Sequence, residues 1–220
     1  MMTADPLAVP PTLGAILAGG LARRLGGGDK SLRLVGGRTV LARLVDRLAP
    51  RVNRLMINAN DDPERFEGLG LPVVADCLPD HPGPLAGVLT ALEWIAAIDP
   101  AIEWVVTVPG DAPFLPPDLV PRLHAARLRE TADLACAGSL GRTHPVVGLW
   151  PVSIRRELRD AVAGQGIRRI DRFTGRYACA VEQWATQPVD PSFPVDPFFN
   201  VNTPEDLAEA DRLAAMHPGL

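Results

Sequence analysis

Lys30 is the one lysine of the chain: of its 22 basic residues, 21 are arginine. A chain that uses arginine at every other basic position and keeps a single ammonium points to a task suited to a compact charge, such as sitting between phosphate oxygens. The neighbourhood agrees. Lys30 lies in the run Leu17-Ala18-Gly19-Gly20-Leu21-Ala22-Arg23-Arg24-Leu25-Gly26-Gly27-Gly28-Asp29-Lys30-Ser31. Its glycines let backbone N–H groups turn inward, and Arg24 and Lys30 add positive charge. Together they have the makings of an anion cradle, most naturally for phosphates. The competing reading is a plain flexible connector. The length of the run weighs against it, because strand-to-helix connections in compact α/β units are short.

Two familiar phosphate motifs do not fit. A Walker loop needs Gly-Lys-Ser contiguous, and Asp29 separates Gly28 from Lys30. A dinucleotide fingerprint needs G-x-G-x-x-G, and here Gly19 and Gly20 are adjacent. The expectation is neither a P-loop NTPase nor a standard NAD enzyme.

The loop has to be held by regular elements, and the chain supplies them in alternation. Leu13–Ala18 is a short apolar run that stops at glycine, as a buried parallel strand would. Thr39 can cap a helix whose apolar positions Val40, Leu41, Leu44, Val45 and Leu48 follow the 3.6 period, ended by Pro50. Arg54–Ala59, Leu71–Ala75 and Trp104–Val108 read as further strands, and Pro84–Ile98 as a helix with proline in its first turn. A helix follows around Asp118–Arg129, then strands at Asp133–Ala137 and Pro145–Trp150 about a turn at Gly138–Gly141. Ser153 is placed to cap a helix over Ile154–Ala163, and Thr203-Pro204-Glu205-Asp206 opens the last helix. The alternation predicts a three-layer, Rossmann-like α/β fold with a mostly parallel central sheet. In such sheets ligands bind beyond the carboxyl ends of the strands, where the glycine loop falls.

Composition bounds the rest. With 220 residues, 47% hydrophobic and 22% charged, the chain suits one globular domain, expected over residues 12–220 after a Pro-rich and disordered lead-in over 1–11. No window approaches the ~18 consecutive apolar residues of a spanning helix, and no basic segment precedes the first apolar stretch, so neither a membrane protein nor a signal peptide is expected. A net charge of -4 argues against a general nucleic-acid binder. The cysteines Cys77, Cys136 and Cys179 are odd in number and far apart in sequence, which argues against a disulfide framework and for a reducing compartment, the cytoplasm.

The loop resembles that of the nucleotidyltransferases carrying L-A-G-G-x-x-x-R-x-G-x-x-D-K after the first strand, and within them the MobA family of molybdenum cofactor guanylyltransferases. The likeness runs from Leu13 to about Leu213. It includes Asn58-Ala59-Asn60, Gly83-Pro84-Leu85-Ala86-Gly87, Pro109-Gly110-Asp111, His144-Pro145 and Phe199-Asn200-Val201-Asn202-Thr203-Pro204-Glu205-Asp206. Leu25 stands where the family commonly has methionine, and 175–195 is too proline-rich to align.

The resemblance implies transfer of GMP from GTP to molybdopterin with release of pyrophosphate. It implies Mg²⁺ as cofactor and GTP and molybdopterin as partners, and it admits molybdopterin-delivering enzymes and molybdoenzyme chaperones. By resemblance Leu17, Ala18, Gly19 and Gly20 lie against the nucleotide, Lys30 sits on its phosphates, and Arg24 is a second cation of the catalytic set. Asn58 and Asp76 match nucleotide contacts, the Asn58 amide being able to pair with a guanine edge, and Asp111 matches the carboxylate that holds the metal. All three fall at expected carboxyl ends of strands. Asn200 and Asn202 alternate about Val201, so both would face one side of a short strand toward the pterin.

Blander readings stand beside these. Asp111 and Asn58 also suit turns, Asn202 also suits a cap for the last helix, and Arg168-Arg169 suit either the anionic pterin phosphate or solvent. His144 reads as structural, and the four tryptophans read as core and edge residues. Other functions that share some of these features are molybdopterin cytidylyltransferase, sugar-phosphate nucleotidyltransferase and a non-catalytic molybdenum cofactor carrier.

Overall fold

A computed structural model describes residues 9–19, 28–60, 62–78, 83–188 and 194–217. The strands are β1 (Thr12–Leu17), β2 (Leu34–Val35), β3 (Arg38–Thr39), β4 (Arg54–Asn58), β5 (Val73–Val74) and β6 (Trp104–Pro109), then β7 (Leu134–Ser139), β8 (Arg142–Pro151), β9 (Cys179–Trp184), β10 (Gln187–Pro188) and β11 (Pro194–Val195). The helices are α1 (Val40–Leu48), α2 (Pro84–Ile98), α3 (Leu119–Glu130), α4 (Arg155–Arg159), α5 (Ile170–Thr174) and α6 (Pro204–Met216). Seven strands form the central sheet in the order β5-β4-β1-β6-β8-β7-β9. All are parallel except β8, which runs antiparallel to both of its neighbours.

The alternation of side chains along these strands builds two cores. Leu13 and Ala15 of β1, Met56 of β4 and Val105 of β6 face α2, α4 and α5, while Ile16, Leu55, Ile57 and Val106 face α1, α3 and α6. The result is the expected three-layer, mostly parallel α/β architecture. Gly14 leaves room over β1 for the Leu55 side chain, whose Cδ1 would lie 2.7 Å from a Cβ there. Thr39 caps α1 through its side chain, and Thr203 with Asp206 closes a capping box on α6.

Two local expectations change. The helix over 154–163 is instead a 3-10 turn (Val152–Ile154), the short α4 and one π turn (Asp160–Gly164), and Ser153 makes no cap bond. In that wide turn Ala161 and Val162, adjacent in sequence, are both buried. The β7–β8 connection tightens to Leu140-Gly141, both at positive φ (49° and 72°), the twist a two-residue hairpin needs. That geometry lengthens both strands beyond what their apolar runs indicated. Cys136 and Cys179 are distant in sequence yet lie on the neighbouring strands β7 and β9 with sulfurs 3.9 Å apart, as free thiols. Of the expected lead-in, residues 1–8 lie outside the described residues.

Under β1 sits a buried imidazole. Thr12 Oγ1 donates to Pro10 O (2.6 Å), so its contact with His124 Nε2 (2.9 Å) is one in which the ring donates. His124 Nδ1 then carries no proton, and it is buried without a partner among the described residues. Burial, helped by the neighbouring Arg127 guanidinium, pushes the imidazole down from 6.5 to about 4. Below its ordinary pKa the unfolded chain takes up a proton here that the folded chain refuses. The stability His124 contributes is therefore intact above pH 6.5 and is lost as pH falls from there toward 4, by about 3 kcal/mol in all. Urea unfolding at pH 7 and pH 4.5 should show a smaller pH-dependent loss in His124→Gln than in the parent. Equal losses would contradict this assignment.

Candidate functional site

The carboxyl ends of β1, β4 and β6 open onto a cleft of about 310 Å³. Leu17, Ala18, Gly19, Lys30, Asn58, Asp76 and Asp111 all line it. Backbone bonds hold its floor: Ala18 N donates to Asn58 O (2.8 Å) and Gly110 N donates to Leu17 O (2.9 Å). Gly110 is required by this approach, because a Cβ there would lie 3.0 Å from Ala18 Cα and 3.1 Å from Leu17 O.

One side of the cleft is cationic. Lys30 begins a 3-10 turn (Lys30–Leu32) and points its ammonium at Asp111, with Nζ 3.4 Å from Oδ2. It also donates to Asn202 Oδ1. The two charged side chains keep about a fifth of their surface exposed, 19% and 20%. Burial raises the Asp111 carboxyl above its usual range, and the Lys30 ammonium opposes that shift. The segment before α6 completes this side: Val201 N donates to Asp111 O (2.8 Å), and Asp206 Oδ2 accepts from the backbone N–H of both Asn202 and Thr203 (2.9 Å each). The last helix thus delivers Asn202 to Lys30 through its own cap.

The other side is built of amides around one carboxylate. Asn58 is 4% exposed, and its Nδ2 donates to Val74 O (3.1 Å) and to Asp76 Oδ1 (2.9 Å). Asn60 grips Asp76 twice, Nδ2 donating to Oδ2 (3.0 Å) and Oδ1 accepting from the Asp76 backbone N–H (2.9 Å). Both amide N–H groups of Asn58 are therefore engaged inside the protein, and what it offers the cleft is its Oδ1. A pairing of this amide with a base edge would therefore use the oxygen as acceptor. Gly87, at the first turn of α2, makes room for this oxygen, since a Cβ there would lie 2.4 Å from it.

The expected site residues fare differently. Leu17, Ala18, Gly19, Lys30, Asn58, Asp76 and Asp111 are brought together, and Asn202 joins them through Lys30. Asn200 is exposed, Val201 is buried and Asn202 is half-buried, in a segment with no strand pairing. The final helix is capped by Thr203, leaving Asn202 to Lys30. Arg24 and Gly20 lie outside the described residues. Arg168 and Arg169 are exposed, Arg169 pairing with Asp171. His144 is structural in its contacts, its Nε2 2.8 Å from Ser139 Oγ and its ring against Phe198.

Asn60, Gly87 and Gly110 stand in the motifs quoted from the sequence, but the sequence alone gives them no individual role. The Asn58-Ala59-Asn60 spacing carried the signal for the first of them, because residues two apart on an extended chain face the same way. Among the described residues no group of three His, Cys, Asp or Glu side chains could cage a metal. Asp111 offers a single hard carboxylate, which suits an ion that arrives with a phosphate ligand and keeps most of its coordination for water and phosphate.

Comparison with known proteins places this geometry. A family model described as a MobA-like NTP transferase domain matches residues 14–180. The chain is 56% identical over 205 residues to the molybdenum cofactor guanylyltransferase of Rhodopseudomonas palustris (strain BisB5), covering 93% of this chain and 95% of that one. It is 54% identical over 211 residues to the protein of the same name from Nitrobacter hamburgensis, covering 96% and 98%. Among solved structures it resembles molybdopterin-guanine dinucleotide biosynthesis protein A from Archaeoglobus fulgidus, with a TM-score of 0.68, 23% identity and 92% and 98% coverage. It also resembles Rv0371C of Mycobacterium tuberculosis in complex with manganese, with a TM-score of 0.62, 16% identity and 92% and 98% coverage.

Proposed function

The chain belongs to the MobA-like NTP transferase family, and from that membership we infer that it transfers GMP from GTP to molybdopterin, forming molybdopterin guanine dinucleotide and releasing pyrophosphate. The observation that carries the reading is a Lys30–Asp111 pair at the carboxyl edge of the sheet in a chain 56% identical to a guanylyltransferase over nearly its whole length.

The chemistry asks for positioning and charge neutralisation rather than a covalent nucleophile. The terminal phosphate oxygen of the pterin forms a bond to the α-phosphorus of GTP, and the bond from that phosphorus to the bridging oxygen breaks. Its electron pair leaves with pyrophosphate. In this reading the backbone of Leu17, Ala18 and Gly19 lies along the nucleotide, and Lys30 neutralises the α and β phosphates as charge builds on the leaving group. Mg²⁺ carried in with GTP would be held by Asp111 and would supply further neutralisation of phosphate charge. Arg24 and Gly20 are assigned to the same side from the sequence motif alone, and Asn202 and Asn200 to the pterin side.

The base side explains a preference for guanine. Asp76, oriented by Asn58 and Asn60, and the Oδ1 of Asn58 are acceptors, and the Watson–Crick edge of guanine carries donors at N1 and N2. Cytosine and adenine present fewer donors there and would match these acceptors less well.

Purified protein should release pyrophosphate from GTP only when molybdopterin is present, with kcat/KM for GTP roughly 100-fold or more above that for CTP or ATP. Comparable rates with CTP would favour the cytidylyltransferase, and molybdopterin binding without turnover would favour a carrier. Molybdopterin-delivering enzymes and molybdoenzyme chaperones follow as partners at the two ends of such a reaction. A reaction that draws on GTP suits the cytoplasm, and no helix among the described residues is long and apolar enough to cross a membrane.

A further inference from the structure

We propose that Arg65 is a positioning residue for Lys30: by holding the Asp29 carboxylate it leaves the neighbouring ammonium to Asp111, Asn202 and the phosphates. The proposal rests on the reading that Lys30 serves the phosphates of GTP, and Arg65 and Asp29 themselves are not among the residues that line the cleft.

Arg65 lies in a 3-10 run (Pro63–Leu69) after β4, rooted by Phe66, which is 1% exposed. Its guanidinium sits 5.1 Å from the Phe66 ring centroid and makes three separate attachments. Nη1 pairs with Asp29 Oδ2 (2.6 Å), Nη2 donates to Asn60 O (2.7 Å) and Nε donates to Asp62 O (2.8 Å). One planar fork therefore ties the turn that begins at Lys30 to the residue that grips Asp76. It joins the phosphate side of the cleft to the base side.

The charge arithmetic gives the brace a purpose beyond cross-linking. The Asp29 side chain is only 7% exposed. A carboxylate so far from water needs a cation or strong donors. With Arg65 removed, the cation next to it in the chain is Lys30, which in the intact protein faces Asp111 and Asn202 instead. An unpaired Asp29 would compete for that ammonium and draw it off the phosphates. The defect would come from a stray negative charge, so removing the charge should cure it.

The test uses four full-length proteins: the parent, Arg65→Met, Asp29→Asn and the double variant. Each is assayed for kcat and KM with GTP and molybdopterin, and for GTP affinity by calorimetry, with circular dichroism to show that it is folded at the assay temperature. Arg65→Met should lower kcat about tenfold or more, as misplacing a catalytic group does, with KM for molybdopterin unchanged. Asp29→Asn should stay within a few-fold of the parent, and the double variant should recover to the level of Asp29→Asn. A brace that only cross-links would give a double variant as slow as Arg65→Met, and a purely structural arginine would lower the melting temperature while leaving kcat of the folded protein unchanged; either result overturns the proposal.

Arg65→Lys gives a separate check, because it keeps a cation for Asp29 and loses the fork to Asn60 and Asp62. It should stay within a few-fold of the parent, and a kcat as low as that of Arg65→Met overturns the proposal. A parent that makes no dinucleotide overturns the functional reading instead. The GTP affinities then decide the Arg65 proposal on their own, with weakening expected in Arg65→Met and recovery in the double variant, and parent-like affinity in Arg65→Met overturning it.

Discussion

Lys30→Ala should lower kcat by ~100-fold or more, the scale on which a single preorganised charge-stabilising donor acts. The ammonium is held at the carboxyl edge of the sheet by Asp111 and Asn202, where negative charge would accumulate as pyrophosphate departs. The change also takes from the half-buried Asp111 the cation that offsets its burial, so circular dichroism should accompany the assay to show that the variant is folded. Lys30→Arg is the more discriminating variant. It keeps the charge but replaces a compact group with a broad planar fork, and the space is bounded by the backbone of Leu17–Gly19 and by Asp111. Most of the defect should therefore remain. Full recovery with arginine would mean that the site needs only diffuse positive charge. Parent-like rates for both variants, measured by steady-state pyrophosphate release, would remove Lys30 from the reaction.

Asp111→Asn should be comparably severe, with turnover reduced by roughly 100- to 1000-fold and the residual activity needing far more Mg²⁺. The substitution leaves the backbone oxygen of residue 111 in place to accept from Val201 N, and the amide can still accept from Lys30. The C-terminal segment should stay seated as a result. Burial already disfavours the charge of this carboxylate, so its neutral isostere should be no less stable than the parent. A fall in activity with an unchanged or higher melting temperature would separate loss of a metal-holding carboxylate from loss of structure. Normal turnover at low Mg²⁺ would make Asp111 a turn residue.

Much of this was legible in the sequence where local rules dominate. The apolar run Leu13–Ala18 ending in glycine marked β1, Thr39 and Thr203 announced their helices, and the lone lysine pointed to the cleft. The unread part depends on contacts between distant residues. Lys30 and Asn202 are 172 positions apart, and Arg65 and Asp29 are 36 apart. No spacing rule connects them. Asn58 was found as a residue, but the engagement of its donors by Val74 and Asp76 follows from the β4–β5 pairing, which only the fold supplies. The broken helix after β8 failed for a similar reason, since its π turn answers to the burial of Ala161 and Val162 against the sheet.

The central claim, that this cleft holds GTP with its phosphates at Lys30 and its base toward Asp76, is tested most directly by a crystal structure of the protein with GTP and Mn²⁺. Manganese can stand in for magnesium and is located by its anomalous signal. The expected result is a manganese peak on the Asp111 carboxylate, α and β phosphates within hydrogen-bond reach of Lys30 Nζ, and the guanine edge facing Asp76 and Asn58 Oδ1. A nucleotide bound elsewhere, or one seated in the cleft with its phosphates away from Lys30 and the metal off Asp111, would contradict the claim.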